Sequence, residues 1–521
     1  MTTSISLIRP VSAGDISASS KAGIREWLGL AILALPCLLY SMDLTVLNLA
    51  IPHITADLSP SAAQMLWVMD IYGFVLAGAL ITMGAIGDRI GRRLLLMVGT
   101  AAFGVASTIA AFSSSAEILI MARALLGLSA ATLAPSTLSL IRNMFEDQSQ
   151  RSFAIGVWMA SFAIGGAIGP LVGGVMLEYF WWGAVFLLAL PVMVLLLAVG
   201  PFLLPEHKDE SGSPIDFLSA LLSILSMLAL VYGIKHIAVG DISALSIAAL
   251  LIGSGLGWIF VGRQQRLAKP MIDLGLFRSS RFVVALLVNL AGFFMAFGTL
   301  LILAQHLQLV VGMGPMKAGI WTLFSAAGFV SGSFLAPAML RYFNSAAIMA
   351  SGLVFAAIGF GLLAYALAAG TFQLLMLSAF MFSIGLAPVF TLATDLIVGT
   401  APSEQAGSAA ALAETSSELG GALGIAVLGS IVIGLYRGRM DALLPENLPA
   451  LVAEAARDSI GAAAEASAML PIADALRLMG AAEESFTGAF MVAALIGIAI
   501  STLAATIIAT LRSAGSVTHQ H

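Results

Sequence analysis

Apolar stretches long enough to cross a bilayer follow one another along nearly the whole of this 521-residue chain. Fourteen are readable, near 28–52, 67–86, 95–113, 117–141, 152–176, 182–204, 216–235, 242–262, 281–304, 316–339, 345–368, 372–399, 405–435 and 486–511. A helix needs about 20 such residues to span the hydrocarbon core, where the main chain must satisfy its own hydrogen bonds. The composition agrees: 60% of residues are hydrophobic and 10% charged, against roughly 25% charged in a soluble domain. The expectation is an all-α integral membrane protein. Its net charge of −5 then says little about partners, and no basic face of the kind that binds nucleic acid exists outside short loops.

Basic residues orient the spans. With the N-terminus inside, the inner segments hold sixteen Lys and Arg against six outside, four of the six in one long loop. Both termini are therefore expected in the cytoplasm. Residues 1–27 are polar and Ser-rich and read as a tail; the run 28–52 is too long for a signal-peptide core and contains Asp43, so it reads as an uncleaved first span. The division that follows is a six-helix bundle over 28–205, two extra helices within 206–275, and a second six-helix bundle over 276–521. The last includes a long outer loop, 436–485, with helical spacing and a break at Pro471, expected to form a hairpin. Cys37, the single cysteine, lies in an apolar run and reads as a small buried side chain.

Two motifs carry more than composition. Between the second and third spans the chain reads GAIGDRIGRRLLL, with Gly84, Asp88, Arg89, Gly91, Arg92 and Arg93 in the pattern G-x-x-x-D-R-x-G-R-R. Carboxylate and guanidinium groups there form a charge cluster, and the glycines let helices approach. The corresponding stretch of the second half, 336–352, keeps Arg341 but has Leu340 and Phe343 where the Asp and a Gly would stand, like a degenerate copy. The fifth span contains GVWMASFAIGGAIGPLVGG, with Gly156, Gly165, Gly169, Pro170, Gly173 and Gly174 in a fixed pattern. Small residues one turn apart form a groove for a facing helix, and the proline bends the helix. The loop motif resembles that of the major facilitator superfamily, and the span-five motif resembles the signature of its exporters that exchange substrate for protons. With the span count, the segments LYSMDLTVLNLAIP, LWVMDIYGFVLAG and ETSSELG, the whole chain resembles the fourteen-span drug:proton antiporter-2 family. That implies the major facilitator fold with a 6 + 2 + 6 arrangement of helices, and two halves related as repeats.

Charged residues inside spans are the candidate functional groups, because placing them in hydrocarbon is costly. Glu414 and Glu418 are four residues apart, on one helix face and near mid-span. Asp43 lies at similar depth in the first span, so all three are expected to face a cavity between the halves. A carboxylate held out of water is tolerable as the acid or beside a cation, so one group can hold a proton or a lipophilic cation in turn. A packing network with Thr415, Ser416 and Ser417 is the plainer alternative. Arg123 either meets a partner or reaches the outer surface; the resemblance implies a part in proton transfer. Asp395 reads as a solvated helix end rather than a gate, and Asp70 as an outer gate or an interface residue. Candidates for cation–aromatic binding are Tyr40, Trp67, Tyr72, Trp158, Phe162, Phe293 and Phe294, with Met159 and Met295 as adaptable surface. Gln305 adds polarity near the outer end of the ninth span, beside His306.

Other classes fail on residues. No Lys follows a Gly, so there is no phosphate-binding loop of a primary pump. The six histidines have neither metal spacing nor a Ser partner within a span. No cofactor or metal is expected. The resemblance implies a monomeric, proton-coupled exporter of lipophilic cations such as dyes and quaternary ammonium antiseptics, in a bacterial cytoplasmic membrane. Ala413 stands before Glu414, and the tenth span has no Asp, where some pumps of the family are acidic; this favours monovalent cations. Export of an endogenous metabolite, lipid or antibiotic on the same fold is the other reading.

Overall fold

The computed structural model describes residues 21–60, 62–206, 216–238, 243–267, 270–402, 405–445 and 448–517. The chain is helical throughout these segments. The helices of the first half are α1 (Ile24–Leu58), α2 (Ala62–Ile90), α3 (Arg92–Ala111), α4 (Ala116–Met144), α5 (Gln148–Tyr179) and a last span broken into α6 (Ala184–Leu187) and α7 (Ala189–Leu203). Next come α8 (Phe217–Ala238) and α9 (Ala244–Gln264). The second half has α10 (Ser280–Gln305), prolonged by a π turn over His306–Val310, then α11 (Pro315–Met339), α12 (Ser345–Ala369), α13 (Phe372–Thr400) and α14 (Ala406–Leu443). Two short helices, α15 (Ala450–Asp458) and α16 (Ile460–Ser467), precede the last, α17 (Ile472–Val517). Thirteen helices among the described residues are long and apolar enough to cross a membrane, and Leu218–Ile234 in α8 is a shorter apolar helix. The fourteen expected stretches all fall on these helices.

The connections are short and their polar residues close the helix ends. Ser115, Asp147 and Asn344 each accept a main-chain N–H of the first turn of α4, α5 and α12. Gly91, with φ of 110°, turns the chain between α2 and α3 in a conformation other residues avoid. The expected outer loop is smaller than its sequence suggests: α14 runs on to Leu443 and α17 begins at Ile472. What remains folds as α15 and α16, with Tyr436 donating a hydrogen bond to the Ala456 carbonyl.

Helix packing repeats between the halves. α1 packs on α5 as α10 packs on α14, α2 on α4 as α11 on α13, and α3 on α4 as α12 on α13. The halves meet along two seams, α2 against α14 and α5 against α11. Small residues set both. A Cβ on Gly84 would stand 2.6 Å from the Gly407 carbonyl oxygen, and one on Gly156 the same distance from that of Ser333. Within each half the glycines of α5 and α14 do the equivalent: Gly165 lies on the Leu38 main chain of α1, and Gly424 on that of Phe294 in α10. Gly173 faces Val46, Gly169 is buried, and a Cβ on Gly174 would meet open space. The side chain of Pro170 lies outside the described residues. α8 packs against both α2 and α14, and α9 packs against α8, so the extra pair lies alongside one seam. Thr82 of α2 and Ser223 of α8 join by a 2.9 Å hydrogen bond there.

Candidate functional site

α14 places Glu414 and Glu418 one turn apart. Glu414 is 8% exposed. The neighbouring hydroxyls are committed elsewhere: Ser416 and Ser417 donate to the Ala413 carbonyl, and both accept from the side-chain amide of Asn289 on α10, at 2.7 and 2.9 Å. Asn289 thereby ties α14 to α10. Among the described residues, no hydrogen bond reaches the Glu414 carboxylate, so the packing-network alternative for this residue does not hold. Glu418 is held differently. The Tyr40 hydroxyl of α1 donates to it at 2.8 Å, a bond that crosses from one half to the other.

An aromatic wall faces this pair. The Tyr40 ring lies 5.4 Å from Phe162 and 6.1 Å from Tyr72, and Phe162 lies 4.8 Å from Trp158. Trp158 is fixed by its indole N–H, which donates to Thr137 at 3.0 Å, and Met159 beside it is buried. Tyr40, Tyr72, Trp158 and Phe162 therefore do come together, from α1, α2 and α5. The other aromatic candidates lie apart. Trp67, 43% exposed, packs on Phe74, which packs on Tyr232 of α8, so it faces the extra pair and not the glutamates. Phe293 joins Phe390 at 4.3 Å inside the second half. Phe294 lends its main chain to the contact with Gly424, and Met295 accepts from Ser501 of α17. Gln305 is exposed while His306, the next residue, is buried. The side chain of Asp70 lies outside the described residues.

Arg123 does not reach for the surface. It is 1% exposed and forms an ion pair with Asp43 at 2.7 Å. Its Nε also donates to the Val68 carbonyl, and its guanidinium lies 4.8 Å from the centre of the Tyr72 ring. A buried guanidinium needs a counter-ion, and Asp43 supplies it. Asp43 is therefore held by Arg123. It lines a small cavity within the first half, with Phe103, Ser107 and Phe186. The two charged groups are joined through aromatic contact, Glu418 to Tyr40, Tyr40 to Tyr72 and Tyr72 to Arg123.

At the end of the bundle that carries the 84–96 turn, two carboxylates bind the halves together. Asp88 accepts from Arg92 at 2.8 Å. It also accepts from the Gly407 and Ser408 N–H groups, each at 2.9 Å, and from the Ser408 hydroxyl at 2.8 Å. It thus sits on the N-terminus of α14, where free N–H groups and the helix dipole favour an anion. Arg93 bonds instead to the Pro201 and Leu204 carbonyls and to Glu206. At the other seam Asp395 of α13 pairs with Arg151 of α5 at 2.6 Å and accepts from Ser152 at 2.7 Å. Arg142 adds bonds to the Val398 and Ala401 carbonyls. Asp395 is 3% exposed, so it is not the solvated helix end its position suggested. Ser408 and Asn289 were not singled out from sequence. Asn289, a primary amide in an apolar span, carried a signal of its own; Ser408, a small residue near a helix start, carried none.

Comparison with known proteins adds what geometry alone does not. Residues 33–425 match the model of the Major Facilitator Superfamily. The multidrug efflux pump LfrA of Mycolicibacterium smegmatis is 42% identical over 94% of this chain and 97% of its own length. The methyl viologen resistance protein SmvA of Salmonella typhimurium is 34% identical over 90% of this chain and 94% of its own. The crystal structure of the human organic anion transporter MFSD10 superposes with a TM-score of 0.59 over 91% of this chain and 99% of that one, at 14% identity, a likeness of fold.

Proposed function

The chain belongs to the major facilitator superfamily, a transporter and not an enzyme, and on that premise we propose that it is a proton-coupled multidrug efflux antiporter exporting lipophilic cations. The observation that carries the reading is Glu414. It is a buried carboxylate with no hydrogen-bond donor among the described residues, on a helix at the meeting of the halves, one turn from Glu418, which takes the hydroxyl of Tyr40 from the cluster with Tyr72, Trp158 and Phe162. An unpaired buried charge is costly, and either a proton or an organic cation relieves that cost. Competition for the one group suffices for exchange, provided the site opens to each side in turn. Aromatic faces add cation–π attraction. The names of the relatives, multidrug efflux and methyl viologen resistance, agree with such a substrate class, and monovalent cations suit a site with no acidic residue at Ala413.

Each step has a part. The Asp88 and Asp395 latches hold one end shut while the site faces the other. Protonation of Glu414 and Glu418 frees the cation and weakens the Tyr40 bond across the halves. Arg123 and Asp43, joined to Glu418 by the tyrosines, respond to that change. A membrane potential supplies about 2.3 kcal/mol per charge per 100 mV, and a pH unit about 1.4 kcal/mol per proton. The setting is a bacterial cytoplasmic membrane, with both termini inside. Export of an endogenous cation would use the same groups.

The test is ethidium transport in proteoliposomes under an imposed pH gradient, comparing wild type with Glu414→Gln and Asp43→Asn. Gradient-dependent dye movement that either substitution abolishes is expected. Full transport by Glu414→Gln sinks the coupling role of that residue, and gradient-independent movement by wild type sinks antiport.

A further inference from the structure

A second cavity, of about 650 Å³, lies at the opposite end of the molecule from Asp88, inside the second half. The π turn after α10, the α12–α13 turn, the end of α14 and the start of α17 enclose it. It is remote from Glu414, and neither seam between the halves borders it. Its walls hold three kinds of group. Leu375, Met491 and Val310 make an apolar face. Glu483 and Glu484 supply two carboxylates, and Arg439 supplies a guanidinium that lies over Gly488, one turn along α17 from Glu484. Arg439 is admitted by a glycine: a Cβ on Gly488 would overlap the guanidinium. Among the described residues, none of these three charges is in an ion pair.

His306 forms part of the wall. It is 6% exposed, its ring stacks beside Phe486 and Phe490, and its Nδ1 has no hydrogen-bond partner. The cavity thus combines charge of both signs, from α14 and α17, with an apolar face. We infer that this cavity binds the head of an amino-phospholipid of the adjoining leaflet. The ammonium N–H groups go to Glu483 and Glu484, the phosphate to Arg439, and the first part of the acyl chains to the apolar face. Both signs of charge are needed: a bare cation leaves Arg439 unanswered and an anionic lipid leaves the two glutamates so. The N–H groups are needed too, because a trimethylated head offers none to the two carboxylates.

Binding to the delipidated full-length protein in detergent tests this, read by native mass spectrometry. The probes are phosphatidylethanolamine, phosphatidylcholine and phosphatidylglycerol with identical acyl chains. One phosphatidylethanolamine per chain is expected, bound about tenfold more tightly than either of the others, as loss of a charge-assisted hydrogen bond implies. The double substitution Glu483→Gln, Glu484→Gln should erase that preference, and Gly488→Leu, which expels Arg439, should weaken binding about tenfold. Equal binding of phosphatidylethanolamine and phosphatidylcholine by wild type, or an unchanged preference in the double substitution, overturns the assignment. Displacement by dodecylammonium at equal potency also overturns it, since the phosphate would then contribute nothing. Glu414→Gln should leave the preference intact, so a failure here is separable from a failure of the transport reading.

Discussion

Replacing Asp88 by Asn should open the end of the molecule that it now closes. The carboxylate takes three hydrogen bonds from α14, the Gly407 and Ser408 N–H groups and the Ser408 hydroxyl. A hydrogen bond to a buried charged group contributes about 1.5–3 kcal/mol. An amide with its oxygen toward Ser408 keeps two bonds weakened by loss of the charge, forfeits the Gly407 bond, and turns its NH2 toward the Gly407 N–H and Arg92. The closed state then loses about 3 kcal/mol, close to a hundredfold in the equilibrium. An open population of about 1% would rise to about one half. Nitroxide labels at Gln148 and Phe343, both exposed and on opposite halves at that end, report the change as a longer distance peak in pulsed electron resonance, on a Cys37→Ser background. An unchanged distance distribution would show that Asp88 holds only its own helix end and refute the latch.

Gly84→Val should destabilise the closed interface by about 1–3 kcal/mol through overpacking, because the Gly407 carbonyl stands 2.6 Å from the position of a Cβ; a lowered Tm in detergent checks it. Arg123→Ala leaves Asp43 without its partner in a buried site, at a cost of about 3–5 kcal/mol. The double substitution with Asp43→Ala should recover folded yield on size-exclusion chromatography but not dye transport. At the foot of α8, the hydrogen bond from Arg263 holds the Asp216 carboxyl down at about 2. A lowered folded-state value means that stabilisation is full above the ordinary carboxylate range and is lost as pH falls toward 2. The hydrogen-exchange protection factor at the start of α8 should fall over that interval in wild type and stay level in Asp216→Asn.

The spans were legible because hydrocarbon imposes one rule on every residue of a segment, and a run of 20 apolar side chains reports it directly. Gly84 and Gly156 were legible as close-approach positions for the same reason: spacing of small residues is a local property. What the sequence did not yield were choices between partners. Asp43 and Glu418 sit at similar depth, and nothing in their neighbourhoods says that one turns to Arg123 and the other meets Tyr40. That depends on how the α1 face is rotated against α4 and α14, which no single segment encodes. Asp395 was misplaced for a related reason. Its position near a helix end suggested water, but α5 brings Arg151 and Ser152 over it, from a segment some 240 residues away. Trp67 looked like a binding residue by type, and the extra helix α8 takes it as a packing partner through Phe74.

α8 leans on both α2 and α14, the two helices that meet at one seam, and no such helix covers the α5–α11 seam among the described residues. The molecule therefore has a hinged side and a free side. Parting of the halves at the covered seam must shear Thr82 past Ser223 and carry α9 along, whereas the bare seam needs only its own contacts to break. If the chain exports lipophilic solutes as proposed, a greasy solute dissolved in one leaflet should find a single sideways doorway, between α5 and α11, where the pseudo-symmetry of the twelve core helices alone would offer two.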